Sequence, residues 1–135
     1  MKKNYNFSNV SLLVTHYNRS QSLENLLETF RQLDCHFGDI VVSDDGSKPE
    51  HQAYLKILQT KFNFQLITTP VNKGLGNNIN KGQEVVRTPY TLYVQEDFEP
   101  ITLFPDRLVE SLAILNREPQ FDIIRFYAYI RYPFL

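Results

Sequence analysis

Short apolar blocks alternate along this chain with longer stretches in which leucine and phenylalanine recur every three to four residues. Val10-Ser11-Leu12-Leu13-Val14-Thr15 is the first block and reads as a central strand. After the polar segment His16-Tyr17-Asn18-Arg19, Ser20 or Ser22 can cap a helix carrying Leu23, Leu26, Leu27, Phe30 and Leu33. Gly38 marks the way out, and Ile40-Val41-Val42-Ser43 forms a second strand that runs straight into Asp44-Asp45-Gly46-Ser47. Pro49 opens a second helix with Tyr54, Ile57, Leu58 and Phe62 on one side. Phe64 to Thr68 is a third strand, and Thr69 to Gly74 is a loop. A third helix from about Leu75 to Arg87 buries Leu75, Ile79 and Val86. Pro89 breaks it before Tyr90-Thr91-Leu92-Tyr93-Val94, a fourth strand apolar enough to be buried on both faces. Pro105-Asp106 begins a fourth helix with Leu108, Leu112 and Leu115 inward, and Phe121 to Ile130 reads as a fifth, longer strand.

Strand and helix alternating four times predicts right-handed crossovers and an α/β fold, a mostly parallel sheet with helices on both faces. Strand one should be central, beside strands two and four. Ligands of such sheets sit at the carboxyl ends of the strands. Four polar tips converge there: Thr15 to Arg19, Asp44 to Ser47, Thr69 to Gly74, and Gln95 to Phe98. A strand that ends by delivering Glu96 and Asp97 suggests a cation site, because a buried carboxylate is costly unless paired or metal-bound.

Composition narrows the function classes. A chain of 135 residues with ten Phe and eight Tyr is enough for one compact domain with a substantial core. A net charge of −1, without a run of five like charges, argues against a nucleic-acid groove or a polybasic membrane patch. No apolar run approaches transmembrane length. The one cysteine, Cys35, lacks both a disulfide and a metal-spacing partner and reads as a half-buried thiol in a reducing cytoplasm.

The tips bear several readings. Asp45-Gly46-Ser47 can be a plain turn, whereas Asp44, at the very end of a buried strand, can accept hydrogen bonds from a ribose or base. A dinucleotide site would need a glycine-rich turn after the first strand, and His16-Tyr17-Asn18-Arg19 has no glycine. The P-loop pattern is absent too. Tyr17 can stack on a base or simply pack. His16 reads as structural or solvated, and Arg19 as a partner of Asp44 or Asp45 or of a ligand. Asn72-Lys73-Gly74-Leu75-Gly76 opens a helix whose backbone amides can hold an anion, with Lys73 adding charge.

Taken together, Thr15-His16-Tyr17-Asn18-Arg19, Ser43-Asp44-Asp45-Gly46-Ser47, Asn72-Lys73-Gly74, Gln95-Glu96-Asp97 and Phe104-Pro105-Asp106-Arg107-Leu108 resemble family 2 glycosyltransferases. The resemblance covers nearly the whole chain. It implies the nucleotide-binding part of a GT-A fold, a Rossmann-like three-layer sandwich, as one domain over 1–135 without the acceptor half. The implied donor is a nucleotide-diphosphosugar, usually a UDP-sugar. Thr15, Tyr17, Asn18 and Arg19 would line its base side, Asp44 would bond the base, and Lys73 would lie near the base or diphosphate. Glu96 and Asp97 occupy the place of the family's Asp-x-Asp motif, with Gln95 where an acid is common. Asp97 would then ligate Mg2+ or Mn2+, and Glu96 would face the ribose or sugar.

The implied reaction is inverting transfer to an acceptor hydroxyl of a glycan or lipid-linked acceptor, in the cytoplasm or at the inner face of the membrane. Glu110, Asp106 and Asp122 match no base motif, so the catalytic base is expected beyond Leu135. The alternative is a nucleotide-binding module without transfer activity that serves an assembly role. The aromatic tail from Tyr127 to Leu135 further predicts self-association through the C-terminal strand.

Overall fold

In a computed structural model, which describes residues 3–126, the chain divides into two compact units that meet in sequence at Pro100 and Ile101. The first contains β1 (Tyr5–His16), α1 (Ser20–Gln32), β2 (Cys35–Asp44), α2 (Pro49–Phe62), β3 (Gln65–Thr68), α3 (Leu75–Gln83) and β4 (Tyr90–Gln95). All pairings are parallel, in the order β3-β2-β1-β4, so β1 is central between β2 and β4 as expected. Thr15 lies level with both Ser43 and Gln95, and His16 with Asp44, which brings the carboxyl ends of the three strands to one line.

Alternation along the strands separates two layers. Leu12, Val14 and Val42 point to one face and are fully buried. His16 and Asp44 share that face and bond to Ser20 of α1 and Gln52 of α2. The stripe Leu23, Leu26, Leu27 and Phe30 of α1 closes the same layer, each residue at most 3 % exposed. Leu13, Thr15 and Ser43 face α3. There Gly82 makes the close approach possible, since a Cβ would stand 2.4 Å from Leu13 Cδ1 and 3.1 Å from Ser43 Cβ. Three layers result, as the sequence predicts.

Four expectations are corrected. The helix exit is made by Asp34, whose φ of 58° supplies the left-handed turn, while Gly38 lies inside a longer β2. In α3 the buried residues are Asn78 and Gly82, whereas Leu75 is 49 % exposed and the helix ends at Gln83. Among the described strands β4 is an edge, so Leu92 and Val94 are buried but Tyr93 is half-exposed. Residues 121–126 form no strand; the remainder of the expected fifth strand, and the tail expected to self-associate, lie outside the described residues.

The second unit holds α4 (Phe104–Arg117), with Pro105 in its first turn and Asp106 close to the positive end of the helix. Phe104 meets Phe126 edge to face at 5.0 Å.

Candidate functional site

Two acid pairs end the strands on either side of β1, and they differ in chemistry. Asp44 is fully buried. Its Oδ1 accepts from His16 Nδ1 at 2.8 Å and Ser47 Oγ at 2.5 Å. Its Oδ2 accepts from Gln52 Nε2 at 2.8 Å and the Ser47 amide at 3.2 Å. Four bonds fill the acceptor capacity of a carboxylate. Burial by itself raises the Asp44 carboxyl, but the bonds from His16 and Ser47 outweigh it and hold the group below its ordinary range. Asp44 is thus a saturated anchor turned toward α1 and α2, and the expected pairing of Arg19 with it is not formed, Arg19 meeting Asp97 instead.

Asp45 points the other way. Its Oδ1 accepts from the Lys73 amide at 2.8 Å and its Oδ2 from the Gly74 amide at 3.0 Å. The helix-start amides expected to hold an anion are thus already occupied by an internal carboxylate. Gly46, with φ of +71°, lies against the Val71–Asn72 backbone, where a Cβ would come within 2.5 Å of Val71 C. The turn after β2 and the loop before α3 therefore form one wall. Lys81, invisible as a site residue in the sequence, places Nζ 2.5 Å from the Asp44 carbonyl oxygen. Burial pushes its ammonium down, and the charges of Asp44 and Asp45 pull it partly back.

At the tip of β4 the balance reverses. Glu96 is 9 % exposed, and burial pushes its carboxyl up. Asp97 is open to solvent, and its Oδ2 accepts from Arg19 Nη1 at 2.9 Å. Arg19 therefore pairs across the crevice with Asp97 rather than with the Asp44–Asp45 tip. Tyr17 is 43 % exposed on the same rim, and Asn18 beside it adopts a φ of 53°. Thr15 is buried and shares a hydrogen bond of 2.9 Å with the Tyr93 hydroxyl. Burial, ahead of the nearby Glu96 and Asp97, raises that phenol above its ordinary range. Tyr93 was missed because an aromatic in a strand looks like core; only its place on an edge turns it toward the site.

The structure thus brings Thr15, Tyr17, Asn18, Arg19, Glu96 and Asp97 to adjoining strand tips, while the Lys73 amide is held on the neighbouring wall by Asp45. Among the described residues no group of three or more His, Cys, Asp or Glu could hold a metal by itself. Asp97 instead offers one hard oxygen group already facing a cationic partner, the guanidinium of Arg19. That donor set suits a Mg2+ or Mn2+ that takes its remaining ligands from phosphate oxygens and water. Cys35, with its thiol pushed up to about 11 by burial, contributes nothing to such a site.

A four-stranded parallel sheet with helices on both faces and polar tips aligned at its carboxyl ends is an α/β fold of the GT-A type. The chain belongs to glycosyl transferase family 2, whose model matches residues 11–126. It is 23% identical over 88 residues to poly-beta-1,6-N-acetyl-D-glucosamine synthase of Staphylococcus epidermidis, a match covering 65% of this chain and 21% of that protein. Among solved structures it resembles S. aureus TarS 1-349, with a TM-score of 0.65 at 21% identity, over 82% of this chain and 33% of the other. TarS has been solved in complex with UDP-GlcNAc. A mannosyltransferase from Pyrobaculum calidifontis in complex with GDP-Man and Mn2+ matches with a TM-score of 0.68 at 17% identity, over 78% of this chain and 32% of that one. The chain thus spans about a fifth of the curated relative and a third of these structures. Among the described residues no helix is long and apolar enough to cross a membrane.

Proposed function

We propose that the chain is the donor-binding part of a metal-dependent glycosyltransferase that uses a nucleotide-diphosphosugar, with a UDP-sugar as first choice. The observation that carries this reading is the 2.9 Å contact between Arg19 and Asp97, which ties the Tyr17–Arg19 rim to the acid at the tip of β4. A base stacked on Tyr17 would leave its diphosphate running toward Asp97. Thr15 and Asn18 would line the base and ribose. Asp45 replaces Asp44 as the β2 acid on the ligand side, because each of its oxygens accepts only one of the protein's hydrogen bonds. Lys73 would add positive charge beside the diphosphate, and Glu96 would face the ribose or sugar. Asp97, with Glu96 behind it, would hold Mg2+ or Mn2+. When bound, the ion would neutralise the departing diphosphate.

In the transfer, the acceptor oxygen bonds to the anomeric carbon as the bond from that carbon to the diphosphate oxygen breaks, with inversion. The hydroxyl proton passes to a base that none of the described residues supplies. The acceptor is a glycan or lipid-linked hydroxyl, and the reaction belongs on the cytoplasmic side of the membrane.

A thermal-shift panel of UDP, UDP-GlcNAc, UDP-glucose and GDP-mannose, each with and without Mn2+, tests the reading. The largest shift is expected for a uridine nucleotide with Mn2+. No shift with any nucleotide would overturn it. A shift without release of nucleotide diphosphate when acceptors are supplied would favour a binding module of the assembly type.

A further inference from the structure

Two consecutive rim amides end, by separate routes, on the same buried carboxylate. The Asn18 N–H donates to Ser47 Oγ at 2.9 Å, and Ser47 Oγ lies 2.5 Å from Asp44 Oδ1, to which its hydroxyl donates. The Arg19 N–H donates to His16 Nε2 at 3.3 Å. With Nε2 accepting, the ring proton belongs on Nδ1, which donates to Asp44 Oδ1 at 2.8 Å. A carboxylate at the end of each route polarises the donor in between, so each relay is a charge-assisted chain.

The segment held this way makes a tight turn. Asn18 sits at a φ of 53°, in the left-handed region that asparagine adopts more readily than other residues with a side chain. Its side chain adds a third tie, with Oδ1 accepting from the Lys48 amide at 2.8 Å, just before α2. Ser20 continues the network through the Nδ1 of His51, at 2.9 Å. What these buried bonds support is an exposed ring at Tyr17 and an exposed guanidinium at Arg19. A loop that needed only to connect β1 to α1 would not require a residue tied at both its amide and its side chain.

We infer that His16 and Ser47 are positioning residues of the donor site, relaying the Asp44 carboxylate to the Arg19 and Asn18 amides and so fixing the direction of Tyr17 and Arg19 before a nucleotide arrives. Neither touches the ligand. Their work is pre-organisation, which lowers the ordering cost of binding. The inference rests on the donor-site reading above for its binding consequence, but not for the state of the loop.

The experiment compares wild type, Ser47→Ala and Ser47→Thr by two readouts at a temperature where all three are folded. In Ser47→Ala, hydrogen exchange at the Asn18 amide should speed up about tenfold or more, the loss expected for one buried hydrogen bond. The dissociation constant for UDP with Mn2+ should rise about fivefold, as an unfixed rim must be ordered on binding. Ser47→Thr keeps the hydroxyl and should restore both. A merely structural Ser47 would lower the melting temperature and leave the dissociation constant unchanged, and that result overturns the inference. Unchanged exchange at Asn18 in Ser47→Ala overturns it whatever the binding shows. If the wild type binds no UDP, the donor reading fails, and the exchange arm alone decides whether the relay holds the rim.

Discussion

The acids after β2 and those after β4 look alike as letters, Asp-Asp and Glu-Asp, yet Asp44 and Asp97 end in opposite physical states. Asp44 is inaccessible and accepts four hydrogen bonds; Asp97 is half-exposed and faces one exposed guanidinium across the crevice. The difference lies in what packs beside each strand. β2 has β1 and β3 on its flanks and α1 and α2 over the Asp44 face, so donors from three segments reach that carboxylate. β4 is an edge of the described sheet, and at its tip Glu96 is buried while Asp97 stays open to solvent. A saturated acid is part of the frame, whereas an acid with spare lone pairs can serve a ligand.

The largest effect expected from this contrast is on stability. Asp44→Ala strands the His16, Ser47 and Gln52 donors in a buried site and should lower the unfolding free energy in urea by about 3 kcal/mol. Asp97→Ala should change it by no more than about 0.5 kcal/mol, because an exposed ion pair contributes little. Equal losses at the two positions would break the comparison.

Next in size is the base side of the rim. Tyr17→Ala removes a stacking face and should cost about 1–3 kcal/mol of UDP affinity in calorimetry, with little change in unfolding. An unchanged affinity would return Tyr17 to ordinary packing.

The two pairs should also separate by pH. Asp44 is held below its ordinary range, so its stabilisation is full above the unfolded-state value near about pH 4 and is lost as pH falls through the lower folded-state value. Asp44→Asn should flatten that acid limb. Glu96 has the opposite sign: burial raises it, so ionising it in the folded chain costs stability as pH rises through its elevated value. Glu96→Gln should therefore be more stable than wild type at pH 7 and no more stable at pH 3, as read from urea midpoints. A Glu96→Gln chain less stable at pH 7 would show that the hydrogen bond from its own amide and the charge of Arg19 outweigh its burial. The smallest effect belongs to Arg19→Gln, which should leave the urea midpoint almost unmoved.

Much of this fold could be read from the sequence, because the apolar blocks that form β1, β2 and β4 and the leucine stripe of α1 are set by burial alone. The central position of β1 followed from strand–helix alternation. What escaped depends on which neighbour each residue meets. Leu75 looked like core because it is apolar, but α3 packs through Gly82, where a missing side chain lets the helix sit on Leu13 and Ser43. Tyr93 looked buried on both sides because nothing in five residues says that a strand will be an edge. That Asp44 is the enclosed acid of its pair escaped for a similar reason. Adjacent strand-end residues point to opposite faces, and only the three-dimensional placement of His16, opposite Asp44, shows which of them is enclosed. That Tyr17 to Arg19 and Asp97 would meet at one end of the sheet was legible because consecutive strand tips of a parallel sheet fall on one line.

The claim that Asp97 at the β4 tip carries the metal chemistry, while Asp44 belongs to the frame, is tested most directly by titrating UDP into wild type and Asp97→Ala, each with Mn2+ and with a chelator. Wild type should bind UDP more tightly with Mn2+ than without. In Asp97→Ala that gain should fall by about tenfold or more, with the metal-free affinity and the urea midpoint nearly unchanged. An Asp97→Ala chain that keeps the full Mn2+-dependent gain would contradict the account.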